Sequence, residues 1–252
     1  MEIQVLGPVC LVNEGRRHAI ARHQARAILA LLSLTPGTPQ PFERIQEELW
    51  AAAPLSNSRN AMQAAVARLR KVLAAVGGRS GKQFVRTADG GYLLDLPADV
   101  VDAHRFLGLA ERGAALRHTA PATAARLLTE ALGLWHGQAL ADVGDALAFR
   151  IEATHLDERR VTALEDLMAA RLALGGSAAL LGELRRLTAK HPERERFSEQ
   201  LMVALYRCGR QVEALDVFHS VRRRLDAELG LAPGRGLREL YEAILVQDKV
   251  LG

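Results

Sequence analysis

Aromatic side chains are scarce in this chain of 252 residues: six Phe, three Tyr and two Trp, 4% of the total. A sheet-dominated interior draws on aromatic and β-branched residues. Their scarcity leaves Leu and Ala, both good helix formers, to fill most of the core. Cysteine is equally sparse. Cys10 and Cys208 stand far apart, each among apolar neighbours, and read as two buried reduced thiols of a cytosolic protein, not as a disulfide framework. No run approaches the roughly 18 uninterrupted apolar residues of a membrane span. Residues 1–9 carry Glu2 and lack the apolar stretch of a signal peptide, so a cytoplasmic location is the expectation. Hydrophobic residues still make up 49% of the chain, enough for a packed interior.

Another absence is local. Residues 49–88 contain no Asp or Glu, yet hold Arg59, Arg68, Arg70, Lys71, Arg79, Lys82 and Arg86. Charge is divided along the chain in the same sense. Residues 1–97 carry twelve Lys and Arg against seven Asp and Glu, whereas residues 98–252 carry twenty-one against twenty-two. A one-signed field of this kind faces a polyanion.

The patterning divides at the same place. "EIQVLG", "VCLVN" and "RHAI", separated by turn residues, predict a small antiparallel sheet. "RHQARAILALLSL" predicts a helix stopped by "TPGTP", and "FERIQEELWAA" a second helix between Pro41 and Pro54. "SNSRNAMQAAVARLRKVLAAV" predicts a third, with Ser56 or Ser58 as its cap and Gly77-Gly78 as its end. "KQFVRT", "ADGG" and "YLLDL" read as a β-hairpin, Asp-Gly being a strong hairpin signal. Three helices followed by a hairpin make a winged helix-turn-helix, whose third helix enters the major groove.

That third helix has two contrasting faces. Met62, Val66, Leu69, Leu73 and Val76 recur at helical spacing and form the core stripe. Asn60, Ala64, Ala67, Arg68 and Lys71 occupy the opposite stripe. An ordinary solvated face mixes acids with bases for i,i+4 pairing, and this one has none. Small residues let a helix approach base edges, and alanine methyls meet thymine methyls. Asn60 and Gln63 suit adenine, and Arg68 suits guanine.

From residue 98 onward only helices are expected, seven in number. "ALYRCGRQVEALDVFHSVRRRL" matches the tetratricopeptide pattern, with small Ala204 and Ala214 at the helix–helix contact, Gly209 in the turn and Phe218 in the next layer. "AARLLTEALGLW" is a weaker second copy. Stacked pairs of this kind build partner-binding surfaces. The expected organisation is therefore 1–97 winged helix and 98–252 tetratricopeptide-like domain, mainly α overall.

Catalytic motifs are wanting. His18 and His23 lack zinc spacing, and there is no Cys-x-x-Cys, no His-Glu-x-x-His and no nucleophile elbow. "GRGLRE" has no preceding strand and is not a phosphate loop. No enzyme, cofactor or metal is expected.

"RHQARAILALLSLTPG", "FERIQEELW", "SRNAMQAAVARLRKVL" and "GGYLLDL" resemble, in order, the winged helix of the Streptomyces antibiotic regulatory proteins, itself similar to the OmpR-like DNA-binding domain. "DAHRFLGLAERG", "ALGLWHGQALADV", "HPERERFSEQLMVALYRCGRQVEALDVF" and "ELGLAPGRGLRELYEAIL" resemble the bacterial transcriptional activation domain that follows it, and the length is similar to that of the family's small members. The resemblance implies an activator of an antibiotic gene cluster, located at the nucleoid. It implies binding to direct repeats in double-stranded DNA as a side-by-side homodimer, with recruitment of RNA polymerase holoenzyme.

Carried over by position, Arg68, Arg70 and Lys71 match the family's recognition-helix bases, Gly91 and Tyr92 its wing, and Trp50 a Trp that meets a phosphate or else packs helix two on helix three. Arg59, Arg86 and Thr87 complete the expected DNA surface. The sequence departs from the family at Ala65, where a His is usual, at Ala67, where a polar residue is usual, and at Ala88, where an Arg is usual; Arg86 shares a strand face with Ala88. An alternative is a repeat-based protein-interaction adaptor with a degenerate winged helix, which would have no reason to exclude acids from residues 49–88.

Overall fold

The computed structural model describes residues 1–50, 58–88 and 90–247, with backbone only for Trp50. Pro54, Ser56 and Asp89 of the expected boundaries, cap and hairpin turn lie outside the described residues.

The described chain opens with an antiparallel sheet of β1 (Glu2–Gln4), β2 (Cys10–Asn13) and β3 (Arg16–Ala19), ordered β1-β2-β3, with Ile3 opposite Leu11 and Leu11 opposite His18. Helix α1 (His23–Leu34) follows, then α2 (Phe42–Trp50) and α3 (Ser58–Gly77). Between α1 and α2 lies a strand that the sequence did not announce, β4 (Gln40–Pro41). It pairs with β6 (Gly91–Leu94), which also pairs with β5 (Val85–Ala88), giving a second sheet ordered β4-β6-β5. Pro41 has no N–H to donate, and the edge of a sheet tolerates it.

The expected hairpin is present but shorter on its first arm. Gly81–Phe84 form a helical turn, α4, and the strand begins at Val85. The packing explains the difference. Phe84 is buried against Gly77, and a Cβ on Gly81 would run into the carbonyl of Arg70, so the chain turns tightly there before extending.

After a 3-10 turn at Ala98–Val100 come α5 (Asp102–Leu116), α6 (Pro121–Gly133), α7 (Leu147–Ala173), α8 (Ser177–Lys190), α9 (Glu195–Arg207), α10 (Gln211–Leu229) and α11 (Arg235–Leu245). These are the seven expected helices, except that Leu134–Gly137, expected to continue α6, are not helical.

The chain forms two compact units, residues 1–111 with 130–161, and residues 112–129 with 162–252. In the first unit Asp102 is buried. Its carboxylate accepts the amides of Val5 (2.8 Å) and Leu6 (3.2 Å), and Ile3 bridges to Val101 in parallel. Asp142 accepts the amide of Val9 (2.8 Å), and the amides of His136 and Leu140 donate to Leu6 and Val5. Phe106 and Trp135 meet edge to face at 5.3 Å, and the Arg160 guanidinium covers the Trp135 ring at 4.5 Å. Burial pushes the Asp102 carboxyl up to about 7 against the three backbone N–H groups that favour its charge, and Glu2 adds to the rise.

In the second unit Ala204 and Ala214 are fully buried where α9 and α10 pack, Gly209 turns the chain at φ 72°, and Phe218 stacks on Tyr241 at 4.1 Å. This is the tetratricopeptide arrangement that the sequence predicted. The "GRG" motif also finds its use here. Glu195 accepts the amide of Gly234 (2.8 Å), and a side chain on Gly236 would meet Glu199, so the start of α11 is closed by carboxylates of α9. Both cysteines are free and half-buried rather than buried; burial raises the Cys10 thiol. No helix among the described residues is long and apolar enough to cross a membrane.

Candidate nucleic-acid interface

Helix α3 turns Met62, Ala65, Val66, Leu69 and Leu73 into the core, packing on α1 and α2. Burial of side chains such as Met62 and Leu69 stabilises the unit by about 1.5–3 kcal/mol each. Arg59, Asn60, Gln63, Ala64, Ala67, Arg68 and Lys71 are exposed together. Ala65 is only 2% exposed. The position where the family usually carries a His lies three residues after Met62 and four before Leu69, on the core stripe. The absent histidine at that position therefore removes nothing from the outer surface.

Each expected residue has a definite setting. Arg59 lies over the Phe42 ring at 5.1 Å, which braces the start of α3 on α2 while its side chain stays exposed. Ser58, one of the two expected caps, donates its hydroxyl to Gln46 Oε1 at 3.0 Å. Among the described residues, Arg68 and Lys71 have no carboxylate partner. Arg70 points elsewhere, towards the hairpin. It is half-buried, its Nε donates to the carbonyl of Val85 and its Nη2 to Thr87 Oγ1, both at 2.9 Å. Arg86 is exposed and pairs with Asp95 at 3.1 Å. Thr87 is exposed at the hairpin's edge.

Gly91 and Tyr92 are buried. A Cβ on Gly91 would run into the carbonyl oxygen of Gln40, so glycine lets β4 approach β6. The indole of Trp50 lies outside the described residues.

Two partners were missed from sequence. Asp95 is visible once the register is known: Arg86 faces Leu93, and the residue two beyond Leu93 is its diagonal neighbour. Gln40, buried with its Nε2 donating to Thr35 Oγ1 at 2.7 Å, has no sequence signal, because its strand is two residues long.

A helix presenting small residues and exposed bases, of which Arg68 and Lys71 have no carboxylate partner among the described residues, backed by two other helices and flanked by a hairpin, defines a winged-helix DNA-binding protein. The comparisons agree. Residues 18–94 match the "Transcriptional regulatory protein, C terminal" model and residues 101–245 the "Bacterial transcriptional activator domain" model. The chain is 44% identical to the transcriptional regulator RedD of Streptomyces coelicolor, over all of this chain and 72% of RedD. It is 36% identical to the regulatory protein DnrI of Streptomyces peucetius, over 98% of this chain and 93% of DnrI. Its fold is similar to that of EmbR of Mycobacterium tuberculosis, solved in complex with a low-affinity phosphopeptide, with a TM-score of 0.92 and 32% identity over 98% of this chain and 65% of that one. The chain belongs to the Streptomyces antibiotic regulatory protein family of DNA-binding transcriptional activators.

Proposed function

We propose that the exposed face of α3 reads the major groove of direct repeats near a promoter, that two protomers lie side by side on them, and that residues 98–252 recruit RNA polymerase to an antibiotic biosynthetic gene cluster. The observation that carries this reading is the pair Arg68 and Lys71, exposed and, among the described residues, without carboxylate partners, in a stretch of residues 49–88 that holds no acid. Lys71 serves a phosphate, and Arg68, with Asn60 and Gln63, serves base edges. Ala64 and Ala67 let the helix sit deep. Arg86 contacts the backbone from the wing. The reading surface lies within residues 1–97, although residues 98–111 and 130–161 belong to the same compact unit.

So few base-reading groups favour phosphate contacts and pairing of protomers over single-site recognition, each good bidentate base contact supplying only about 1–3 kcal/mol of discrimination. The test is footprinting on the promoters beside the gene itself, then mobility shifts on one-repeat, two-repeat and scrambled duplexes at fixed salt. Two repeats bind much more tightly than one. A chain that shifts no duplex at all belongs to the adaptor reading instead.

A further inference from the structure

The sequence makes Arg70 one more base in a run of bases, two residues from Arg68 and next to Lys71. Its surroundings are different from theirs. Arg68 and Lys71 are exposed, whereas Arg70 is half-buried and turned along the protein. Its Nε donates to Val85 O and its Nη2 to Thr87 Oγ1, two acceptors on β5. Its guanidinium also lies 5.7 Å from the centre of the Tyr92 ring on β6. Thr87 and Tyr92 are directly opposite in the hairpin register. One side chain from the recognition helix therefore grips both strands of the wing. The backbone is close as well: the Arg70 carbonyl lies where a side chain on Gly81 would be, so the turn into β5 passes directly over α3.

We infer that Arg70 is a positioning residue, a clamp that holds the wing at a set angle to the recognition helix so that the two engage adjacent stretches of one duplex as a single rigid reader. The inference rests on the DNA-binding reading above. A planar fork with two directed donors and a flat face for the ring does what a lysine ammonium, a point charge on a flexible stem, does not. Arg70→Lys keeps the charge and loses the clamp. That separates a positioning role from a phosphate contact, which the lysine would preserve.

The experiment has two arms on the full chain. In the first, hydrogen exchange of the free protein is compared for wild type, Arg70→Lys and Thr87→Val, the last a milder variant that removes only the Oγ1 acceptor. Exchange rises in residues 85–94 for Arg70→Lys, and to a smaller degree for Thr87→Val, while the α3 amides around Leu69 stay protected. In the second arm, hydroxyl-radical footprints are taken on the promoter fragment adjacent to the gene. Arg70→Lys retains the central protection from α3, loses the flanking protection from the wing, and binds at least about tenfold more weakly, because the wing is no longer pre-organised.

Wild-type exchange and a complete footprint in Arg70→Lys overturn the clamp. So does loss of protection spread equally over centre and flank. If wild type leaves no footprint, the DNA-binding reading fails, and the exchange arm alone then decides whether Arg70 holds the hairpin.

Discussion

Arg26 and Asp142 are 116 residues apart in sequence and bonded twice: Arg26 Nε lies 3.1 Å from Asp142 Oδ2 and donates to the Asp142 carbonyl at 2.9 Å. The same carboxylate takes the amide of Val9, and Arg26 Nη1 reaches the carbonyl of Ile20 at 2.8 Å. The first sheet and α1 are thus tied to residues well beyond the winged helix. A fragment of residues 1–97 leaves the amides of Val5, Leu6 and Val9 without these acceptors. At roughly 1 kcal/mol per lost bond and about 4–8 °C per kcal/mol for a domain of this size, it melts more than about 10 °C below a fragment of residues 1–161. Circular dichroism melts of the two fragments check this, and equal melting temperatures would remove the Asp102 and Asp142 contacts from the account of stability.

Lys71→Ala and Arg68→Ala separate two kinds of contact. Lys71→Ala weakens binding to promoter and random duplex alike and lowers the salt slope by about one unit per protomer. Arg68→Ala lowers affinity for the promoter more than for random DNA, by about 1–3 kcal/mol of discrimination. Salt titrations of both variants on both duplexes decide. An unchanged slope in the first, or an unchanged specific-to-random ratio in the second, contradicts the assignment.

Asp102 sets a pH dependence of unusual sign for a carboxylate that accepts backbone amides. Its carboxyl titrates at about 7 in the fold, against about 4 in an unfolded chain. Between those values the folded chain holds a proton that the unfolded chain has released. Stability therefore falls as pH rises from about 4 to about 7, by up to about 4 kcal/mol, and the loss is complete above that. Urea midpoints at several pH values, taken as the difference between wild type and Asp102→Asn, isolate the effect. A difference that does not change with pH shows that the carboxyl titrates at its ordinary value.

Gly91→Ala distinguishes a spacer from a DNA contact. The added methyl would collide with the Gln40 carbonyl and part β4 from β6. The variant loses about 1–3 kcal/mol of stability, the usual cost of overpacking, and its salt slope stays the same. A fully stable variant with a reduced slope would place Gly91 at the phosphate backbone instead.

The parts legible in the sequence were those governed by local period. The core and outer stripes of α3 follow from spacings of three and four, and α9, Gly209 and α10 follow from the repeat pattern. Ala65 is legible by the same rule: it stands three residues after Met62 and four before Leu69, and that spacing sets its face whatever residue the family usually carries there. What escaped was set by distant packing. Gly81–Phe84 are helical because Phe84 fills the space beside Gly77, and β4 exists only because Gly91 admits it. The role of Arg70 was hidden for a similar reason. Its neighbours in sequence say "base among bases", while its acceptors lie 15 and 17 residues on and appear only when the hairpin folds back.

The compact unit that carries α3 is discontinuous, made of residues 1–111 and 130–161. Ribosomes deliver the chain from its N-terminus, so the recognition helix leaves the exit tunnel well before Asp102 and Asp142 do. A nascent chain halted near residue 97 carries α3 beside an incompletely anchored sheet. On the role proposed for α3, DNA binding matures late in translation, after residues 102 and 142 have been made, and a prematurely terminated chain competes poorly for the operator.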